Sequence, residues 1–319
     1  MSGGPAKTKR VVIIGMGDTG VLVASRLSRD FQVTGISTKP NLVSGQELGK
    51  RLADLDWWQR FYNTPLHRFK ALSSVEIRHA KATSVDLDNQ TVTVLDQSKL
   101  ETRIPYDFLI IASGTSNGFW RDDSLRSEAD IDAQLQSDAR AISEARSIAI
   151  VGGGPCGVSS ALNIQRAYPD KSVSLFISAD LPLPGYHASA RQYYHQELIK
   201  VGVRLFTGHR AITPAPAPRA GTIHFESGQS AIADTIIWST GDRKPHTDFL
   251  PNELLDDEGF VKTRSTLEVR GRENVFAIGD VASTDPARSS ARNWAYGVLV
   301  HNLKRRAAGR AANKRYTPP

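Results

Sequence analysis

Hydrophobic and polar positions in the first part of the chain predict a strand, a helix and a second strand. Residues 11–14 form an apolar run, residues 15–20 are rich in glycine, and residues 21–27 have the spacing of a helix. The apolar residues at 31–36 then predict a second strand. This order is typical of a βαβ unit with parallel strands.

The region between residues 45 and 115 has a different pattern. Residues 45–69 have a helical pattern, and we expect their aromatic side chains to lie in the core rather than around a cofactor. Three alternating segments at 75–79, 82–86 and 90–95 predict a small antiparallel meander. An apolar strand within 106–115 then ends in small residues. The aromatic residues of the helical segment are Trp57, Trp58, Phe61 and Tyr62.

The order of strand, glycine loop, helix and strand returns in the second part of the chain. An apolar run at 148–151 precedes a second glycine-rich segment at 152–157, and a helical pattern continues to about residue 167. The following elements are predicted as a strand at 173–177, a helix at 189–201, a strand at 203–207 and a strand within 236–241. This degenerate duplication predicts an α/β fold with two Rossmann-like dinucleotide-binding domains.

A last apolar strand, at residues 276–280, suggests how the two domains are connected. We expect this strand to return to the first unit, so that the second domain is inserted in the first. The predicted boundaries are 8–120 with 243–319 for the first domain and 121–242 for the second. Three prolines within the predicted second domain mark a loop between strands rather than a domain linker. These prolines are Pro214, Pro216 and Pro218.

Composition is that of a globular protein and excludes several kinds of chemistry. The chain has 319 residues, 40% of them hydrophobic and 23% charged, and no apolar run is long enough to span a bilayer. The first ten residues lack the apolar segment of a secretory signal, so the expected location is the cytoplasm. Cys156 is the only cysteine, which excludes an internal disulfide or CxxC redox pair. No HExxH or clustered ligand motif is present, so we expect no metal.

The net charge of +7 is concentrated at the end of the chain. Residues 291–319 contain seven basic residues and no acidic one, while the remainder has 33 of each sign. One interpretation is a solvated helix end whose cations suit the helix dipole. The alternative is weak contact with an anionic membrane surface or an acidic redox partner. Basic residues are not interleaved with aromatic ones, so we expect no nucleic acid partner.

Both glycine-rich segments fit the GxGxxG spacing that cradles a pyrophosphate. The first is GMGDTG at residues 15–20, and the second is GGGPCG at residues 152–157. The first glycine permits a tight turn, the second lets the backbone approach the phosphates, and the third lets helix pack on strand. Cys156 lies in the second segment, where a small residue lets the helix begin close to phosphate. The sequence therefore predicts two dinucleotide sites.

Five ordered motifs extend this pattern over nearly the whole chain: GMGDTG, YDFLIIASGT, VGGGPCG, IIWSTGDRKP and NVFAIGDVA. With them the chain resembles the flavoproteins that have two dinucleotide-binding domains. That family includes apoptosis-inducing-factor-like and ferroptosis-suppressor-like reductases, type II NADH dehydrogenases and thioredoxin reductases. The resemblance implies a glutathione-reductase-like fold with the NAD(P) domain inserted in the FAD domain.

The resemblance also implies which residues bind the two cofactors. Asp280 would hold FAD, although a carboxylate there can also cap the next helix. Ser159 and Trp294 are the candidate catalytic residues. The implied FAD residues are Gly15, Gly17, Asp18, Thr19, Gly20, Ser37, Thr38, Ala82, Ala112, Ser113, Gly114, Gly279, Asp280, Asn293, Trp294 and Ala295. The implied NAD(P)H residues are Gly152, Gly154, Pro155, Cys156, Gly157, Ser178 and Gly241.

The implied activity is transfer of a hydride from NAD(P)H to flavin N5, followed by electron transfer to an acceptor. The absence of a CxxC motif excludes the thioredoxin-reductase mechanism. The acceptor stays open among a quinone, a redox protein and a small oxidant, and NADH versus NADPH also stays open.

Three positions depart from the family pattern, and two of them, Ser37 and Ser159, support an alternative function. Ser37 stands where an acidic residue usually binds the FAD ribose, and Ser159 stands where many relatives have Glu. Asp18 also places a charge in the pyrophosphate loop unless its side chain points away. The alternative function is a dinucleotide-binding regulator or scaffold of the same fold with little or no turnover.

Overall fold

The two main sheets of the chain are a mixed seven-stranded sheet and a parallel four-stranded sheet. A computed structural model describes residues 9–116, 123–241, 244–284 and 294–318. In these ranges no helix is both long and apolar enough to span a bilayer. The strands are β1 (Arg10–Ile14), β2 (Gln32–Ser37), β3 (Asn41–Val43), β4 (Asn63–Pro65), β5 (Val75–Asp86), β6 (Thr91–Asp96), β7 (Glu101–Pro105), β8 (Phe108–Ile111), β9 (Thr115–Ser116), β10 (Ser147–Val151), β11 (Ser172–Phe176), β12 (Arg204–Phe206), β13 (Gly221–His224), β14 (Ser230–Ala233), β15 (Thr235–Trp238), β16 (Lys244–Pro245) and β17 (Val275–Ala277). The α-helices are α1 (Asp18–Leu27), α2 (Leu48–Ala53), α3 (Leu55–Tyr62), α4 (Glu128–Glu144), α5 (Pro155–Ala167), α6 (Ala188–Lys200) and α7 (Tyr296–Ala307).

The first sheet has seven strands in the order β17-β8-β1-β2-β5-β6-β7. The pairs β17–β8, β8–β1, β1–β2 and β2–β5 are parallel, and β5–β6 and β6–β7 are antiparallel. The predicted return of the chain end is seen here, because β17 lies beside β8. The carboxyl ends of β1, β2, β8 and β17 therefore meet at one edge.

The second sheet repeats this arrangement with four strands in the order β12-β11-β10-β15. All of its pairs are parallel, and β10 lies between β11 and β15 as β1 lies between β2 and β8. A separate hairpin of β13 and β14 covers part of one face. The two βαβ units are thus copies of one scheme.

Apolar side chains cover both faces of each sheet. One face of the first sheet packs against α1 and α7, and the other packs under residues 250–282. The second sheet packs α5 and α6 on one face and β13–β14 on the other. A smaller cluster joins α3 to α4 around Trp58. These buried faces explain the near-continuous apolar runs of β1, β8, β10 and β15.

The predicted helix over 45–69 is wrong in its extent. The segment divides at Asp54, whose φ of −152° breaks the helix and whose carboxylate caps α3 by accepting from Trp57 N. The chain then forms β4, where Pro65 ends the pairing with β3. The predicted aromatic core is correct for Trp58, which is fully buried, but wrong for Trp57 and Phe61, which are 39% and 56% exposed.

The predicted meander is correct in kind but wrong in its divisions. Residues 75–86 form the single long strand β5 rather than two strands. Its first half pairs with β2 and its second half pairs with β6, with a register shift between Ala82 and Ser84. This irregularity interrupts the alternation that the sequence pattern shows. The predicted domain boundaries 8–120, 121–242 and 243–319 remain a prediction.

Candidate functional site

The turn between β1 and α1 leaves no room for side chains at two of its glycines. Gly15 has a φ of +102°, and a Cβ there would collide with the Ala112 carbonyl. A Cβ on Gly20 would collide with the Gly15 carbonyl. A Cβ on Gly17 would meet nothing within 4 Å. Gly17 is also the N-cap of α1 and has no side chain to cap it, so this helix end faces open space with unpaired N–H groups.

The turn between β10 and α5 has the same construction. Gly152 has a φ of +122° and lies against the Ser239 carbonyl, and a Cβ on Gly157 would collide with the Gly152 carbonyl. A Cβ on Gly154 would again meet nothing within 4 Å. Gly154 is the N-cap of α5, and Pro155 is the first helical residue. Two helix N-termini with open middle glycines are suited to bind two anionic groups.

A cavity of about 430 Å³ opens in front of the first loop. It lies at the edge where β1, β2, β8 and β17 end, and it extends to α2 and α4. Gly279 and Thr19 are neighbours in its lining, since a Cβ on Gly279 would lie 3.4 Å from Thr19 Oγ1. The predicted FAD residues that line it are Gly15, Gly17, Asp18, Thr19, Ser37, Thr38, Ala82, Ala112, Ser113, Gly114, Gly279 and Asp280.

The carboxylate of Asp18 is turned toward the loop that precedes α2. It accepts hydrogen bonds from Ser44 Oγ at 2.8 Å and from Gly45 N at 3.0 Å. Gln46 Nε2 lies 3.5 Å from the same group. These donors hold the negative charge of Asp18 and fix residues 44–46 as one wall of the cavity. Asp18 therefore positions this loop.

Ser37 lies at the end of β2, as predicted, but its hydroxyl is engaged in the turn. Ser37 Oγ donates to Lys39 O at 2.7 Å and accepts from Lys39 N at 3.3 Å. The backbone beyond it is held by Arg126 N, which donates to Thr38 O at 3.0 Å. Arg126 also lines the cavity and adds a guanidinium group to it.

A second polar group at this edge was not predicted. Lys81 and Asp123 line the cavity and form an ion pair of 3.0 Å. Burial raises the pKa of Asp123, but the hydrogen bond from Lys81 and the charge of His246 outweigh it and lower that pKa. His246 lies 2.8 Å from Ser116 Oγ and 3.0 Å from Ser113 O through its two ring nitrogens. No motif marks these residues. The contacts of His246 with Ser113 and Ser116 follow from the pairing of β16 with β9.

A buried ion pair at the far wall of the cavity was also missed. Arg51 of α2 and Asp138 of α4 are 4% and 2% exposed, and Arg51 Nη2 lies 3.6 Å from Asp138 Oδ2. Asp138 Oδ1 accepts from Gln134 Nε2 at 2.6 Å and from Arg219 Nη1 at 2.8 Å. With Arg219, the ion pair connects three separate parts of the chain. It was missed because a charged residue in a helical pattern is normally predicted to be exposed to solvent.

Ser159, a predicted catalytic residue, lies where α5 crosses α2. Its hydroxyl accepts from Asn163 Nδ2 at 3.3 Å. A Cβ on Gly49 would lie 2.6 Å from the carbonyl carbon and from Oγ of Ser159. The missing side chain of Gly49 thus allows α2 to pack directly on α5. The catalytic role of Ser159 stays a prediction.

The predicted flavin-side residues near α7 lie apart from the cavity. Trp294 is 45% exposed and contacts the Tyr316 ring at 6.4 Å, while Ala295 is buried in the core under α7. Neither lines the cavity. Asn293 lies outside the described residues. Their roles in flavin binding stay predictions.

The predicted NAD(P)H residues gather at the carboxyl edge of the second sheet. Gly152, Gly154, Pro155, Cys156 and Gly157 form the turn itself. Gly241 follows β15 with a φ of +82°, and Ser178 is exposed beyond β11. These residues belong to the second unit and do not line the first cavity. Gly20, a predicted FAD residue, does not line it either, because it is buried within its own turn.

The family model for pyridine nucleotide-disulphide oxidoreductases matches residues 9–298. The chain belongs to this family. The match confirms the predicted resemblance, the predicted fold class and the predicted oxidoreductase class. It also supports the predicted cofactor pair, since two glycine loops with open helix N-termini fit one dinucleotide each.

Named relatives and solved structures agree with this membership. The oxidoreductase ptaL of Pestalotiopsis fici is 27% identical, over 87% of this chain and 78% of its own length. Ferroptosis suppressor protein 1 of Taeniopygia guttata is 26% identical, over 71% of this chain and 62% of its own length. The water-forming NADH oxidase from Lactobacillus brevis, bound to NADH, superimposes with a TM-score of 0.72 at 20% identity, over 97% of this chain and 71% of that one.

Proposed function

We propose that this protein is an FAD-dependent NAD(P)H oxidoreductase. The observation that carries the proposal is the pair of equivalent turns after β1 and β10, each with one open glycine at a helix N-terminus. One dinucleotide at each turn gives the two partners of a hydride transfer. When bound, FAD accepts a hydride at N5 and passes electrons to a further acceptor.

FAD is assigned to the first turn because a cavity lined by twelve of the predicted FAD residues lies there. Gly17 faces the open space, Gly279 leaves room beside Thr19, and Asp280 lines the same cavity. The carboxylate of Asp280 can accept hydrogen bonds from ribityl hydroxyls. Asp18 supports binding indirectly, since it holds residues 44–46 and its charge is engaged by their donors.

NAD(P)H is assigned to the second turn. Gly154 leaves the N-terminus of α5 open for the pyrophosphate. Trp294 and Ser159 remain the proposed catalytic residues. The side chain of Ser159 can contribute a hydrogen bond through its hydroxyl, but it carries no charge. The chain contains one cysteine, so a reaction through an internal disulfide is excluded despite the family name.

The acceptor is proposed only as a class, a small molecule or a redox protein. A weak contact with an anionic membrane surface is proposed for the chain end. Lys304 and Arg306 are engaged with Asp30 and Glu268, at 2.7 Å in each case. Among the described residues of this segment, Lys304, Arg310, Lys314 and Arg315 are exposed.

The visible spectrum of the purified protein tests the proposal, followed by anaerobic titration with NADH and NADPH. The expected result is a flavin absorbance band that bleaches when either nucleotide is added. A protein that binds FAD and nucleotide without bleaching would favour the regulator or scaffold. A colourless protein that does not take up FAD would reject the assignment of the first turn.

A further inference from the structure

The backbone defines which residues of the two units occupy equivalent positions. The N–H of Gly15, the first glycine of one loop, donates to Ile36 O at 2.9 Å. The N–H of Gly152, the first glycine of the other loop, donates to Phe176 O, also at 2.9 Å. The next residues along each chain, Ser37 and Ile177, therefore stand at the same place beside their loops. The sequence pattern predicts Ser178 for this position, but the backbone hydrogen bonds place Ile177 there, one residue earlier.

This position governs how a dinucleotide site reads the adenosine ribose. A carboxylate there hydrogen-bonds the ribose 2′-hydroxyl of NAD, and an Arg nearby accommodates the 2′-phosphate of NADP. A carboxylate also opposes a 2′-phosphate by like charge. The residue at the end of β11 is thus the one that selects between the two nucleotides.

Ile177 fills this position with an apolar side chain. It is 1% exposed, and a Cβ on Gly153 would lie 2.8 Å from its Cγ2 atom. Both of its backbone polar groups are paired, because Ile177 N donates to Phe206 O at 2.9 Å and His209 N donates to Ile177 O at 2.8 Å. The side chain is therefore fixed against the glycine loop.

The charged groups described near this edge do not take over the selection between the two nucleotides. The carboxylate of Asp180 is exposed beyond the loop. The guanidinium of Arg191 is directed at the same loop, where it donates to Leu181 O and Pro182 O at 3.3 and 3.2 Å. His209 Nδ1 lies 2.7 Å from Thr207 O and its ring packs among phenylalanines. In the part of this edge that the structure describes, one acid and one cation lie outside the Ile177 position and leave the edge without a strong preference.

We propose that the second dinucleotide site does not discriminate at the ribose 2′ position, and that Ile177 is the residue that removes the discrimination. The site binds NADH and NADPH with affinities within about tenfold of each other. This inference rests on the proposed function, which places the nicotinamide dinucleotide at the second turn.

Equilibrium binding of NAD⁺ and NADP⁺ to the FAD-loaded protein, measured by titration calorimetry, tests the proposal without turnover. The wild-type dissociation constants are expected to agree within about tenfold. Ile177→Glu adds a carboxylate at the ribose and is expected to weaken NADP⁺ binding by at least about tenfold relative to NAD⁺. Ile177→Gln is the matched control, with the same length and no charge, and its ratio is expected to stay near that of the wild type.

A variant at the exposed neighbour keeps the test independent of core packing. Ser178→Arg adds a cation beside the same ribose and is expected to favour NADP⁺ by about tenfold. A wild-type preference much above tenfold, or an unchanged ratio in both Ile177→Glu and Ser178→Arg, would overturn the inference. Failure of the wild type to bind either nucleotide would instead overturn the proposed function, and the inference with it.

Discussion

At the scale of single residues, Tyr106 is a buried hydroxyl that contributes nothing favourable through hydrogen bonding. The side chain is 0% exposed, and its hydroxyl has no hydrogen-bond partner in the part of the chain that the structure describes. A buried polar group without a partner carries a desolvation cost. Tyr106→Phe is therefore expected to raise the free energy of unfolding by up to about 1 kcal/mol. Urea denaturation at neutral pH measures it.

The same residue predicts a pH dependence. Burial raises the pKa of Tyr106 from 10.0 to about 12. Above pH 10 the unfolded chain loses this proton while the folded protein keeps it, so the free energy of unfolding falls as pH rises toward 12. Below pH 10 the residue adds no pH dependence. Comparison of wild type and Tyr106→Phe between pH 9 and 12 should show a smaller decline in the variant, and equal declines would contradict the assignment.

Asp138 represents the opposite case, a buried charge whose partners remain if it is removed. Asp138→Asn leaves Arg51, 4% exposed, and Arg219 without their carboxylate. The expected loss is about 3 kcal/mol in the free energy of unfolding. Asp248→Asn is the control, because its ion pair with Lys244 is 4.0 Å long and 76% exposed on both sides. That control should change stability by less than about 0.5 kcal/mol. Similar losses in both variants would contradict the buried role.

Single residues could be predicted from the sequence where the backbone imposes them. Gly15 and Gly152 are glycines because each turn has a positive φ and a carbonyl in contact. Arg51 and Asp138 could not be predicted, since a pair between distant helices leaves no local spacing. Ile177 was missed for a different reason. Its position depends on which carbonyl the Gly152 N–H selects, and periodicity does not resolve one residue.

At the scale of elements, the crossing of α2 and α5 depends on Gly49. A Cβ at this position would lie 2.6 Å from Ser159 Oγ and from Ser160 N. Gly49→Ala therefore forces the two helices apart, at an expected cost of about 1–3 kcal/mol in the free energy of unfolding. It should also weaken NAD⁺ binding, because α5 begins at the second glycine loop. Urea denaturation and calorimetry measure the two effects.

Gly297 of α7 supplies the matched control for this helix substitution. A Cβ there meets nothing within 4 Å, so Gly297→Ala gains helix propensity without a clash. The free energy of unfolding is expected to rise by up to about 1 kcal/mol. If Gly49→Ala behaves as Gly297→Ala does, then α2 and α5 do not pack as closely as the structure shows.

Elements were predictable where one period continues without interruption. Helices α1, α5 and α6 and strands β2 and β11 lie within a few residues of their expected places. The expectation failed over 45–69, because Asp54 and Pro65 divide an apolar pattern that reads as continuous. It failed again in β5, where a register shift near Ala82 changes which face each residue occupies.

At the scale of the whole molecule, the architecture could be predicted from the sequence because the βαβ unit is duplicated. Each unit has its loop at the carboxyl end of its central strand, which is where open α/β sheets bind ligands. What duplication could not supply is the cavity wall from α2 and α4, because the first unit has β3, α2, α3 and β4 between two paired strands where the second unit has the single helix α6. That wall therefore contains residues that the shared βαβ arrangement does not supply. Arg51 and Asp138 are among them.

The two-site organisation predicts that the loops can be impaired one at a time. Gly17 and Gly154 have φ angles of −78° and −74°, which alanine adopts, and a Cβ at either one meets only open space. Each alanine methyl group therefore points to where the phosphates must approach, and the fold is retained. Gly17→Ala is expected to weaken FAD binding by at least about tenfold and leave NAD⁺ binding unchanged, and Gly154→Ala the reverse.

Each of these two variants is the control for the other. Flavin fluorescence measures the FAD affinity, calorimetry measures the NAD⁺ affinity, and thermal unfolding checks that both proteins remain folded. If Gly17→Ala impaired NAD⁺ binding and spared FAD, the assignment of cofactors to loops would be reversed. If each variant lost both ligands, the loops would not be independent, because a site that spans both units responds to damage at either end. Loss of FAD binding alone in Gly17→Ala and of NAD⁺ binding alone in Gly154→Ala is the result expected for two separate pyrophosphate sites with the proposed cofactor assignment.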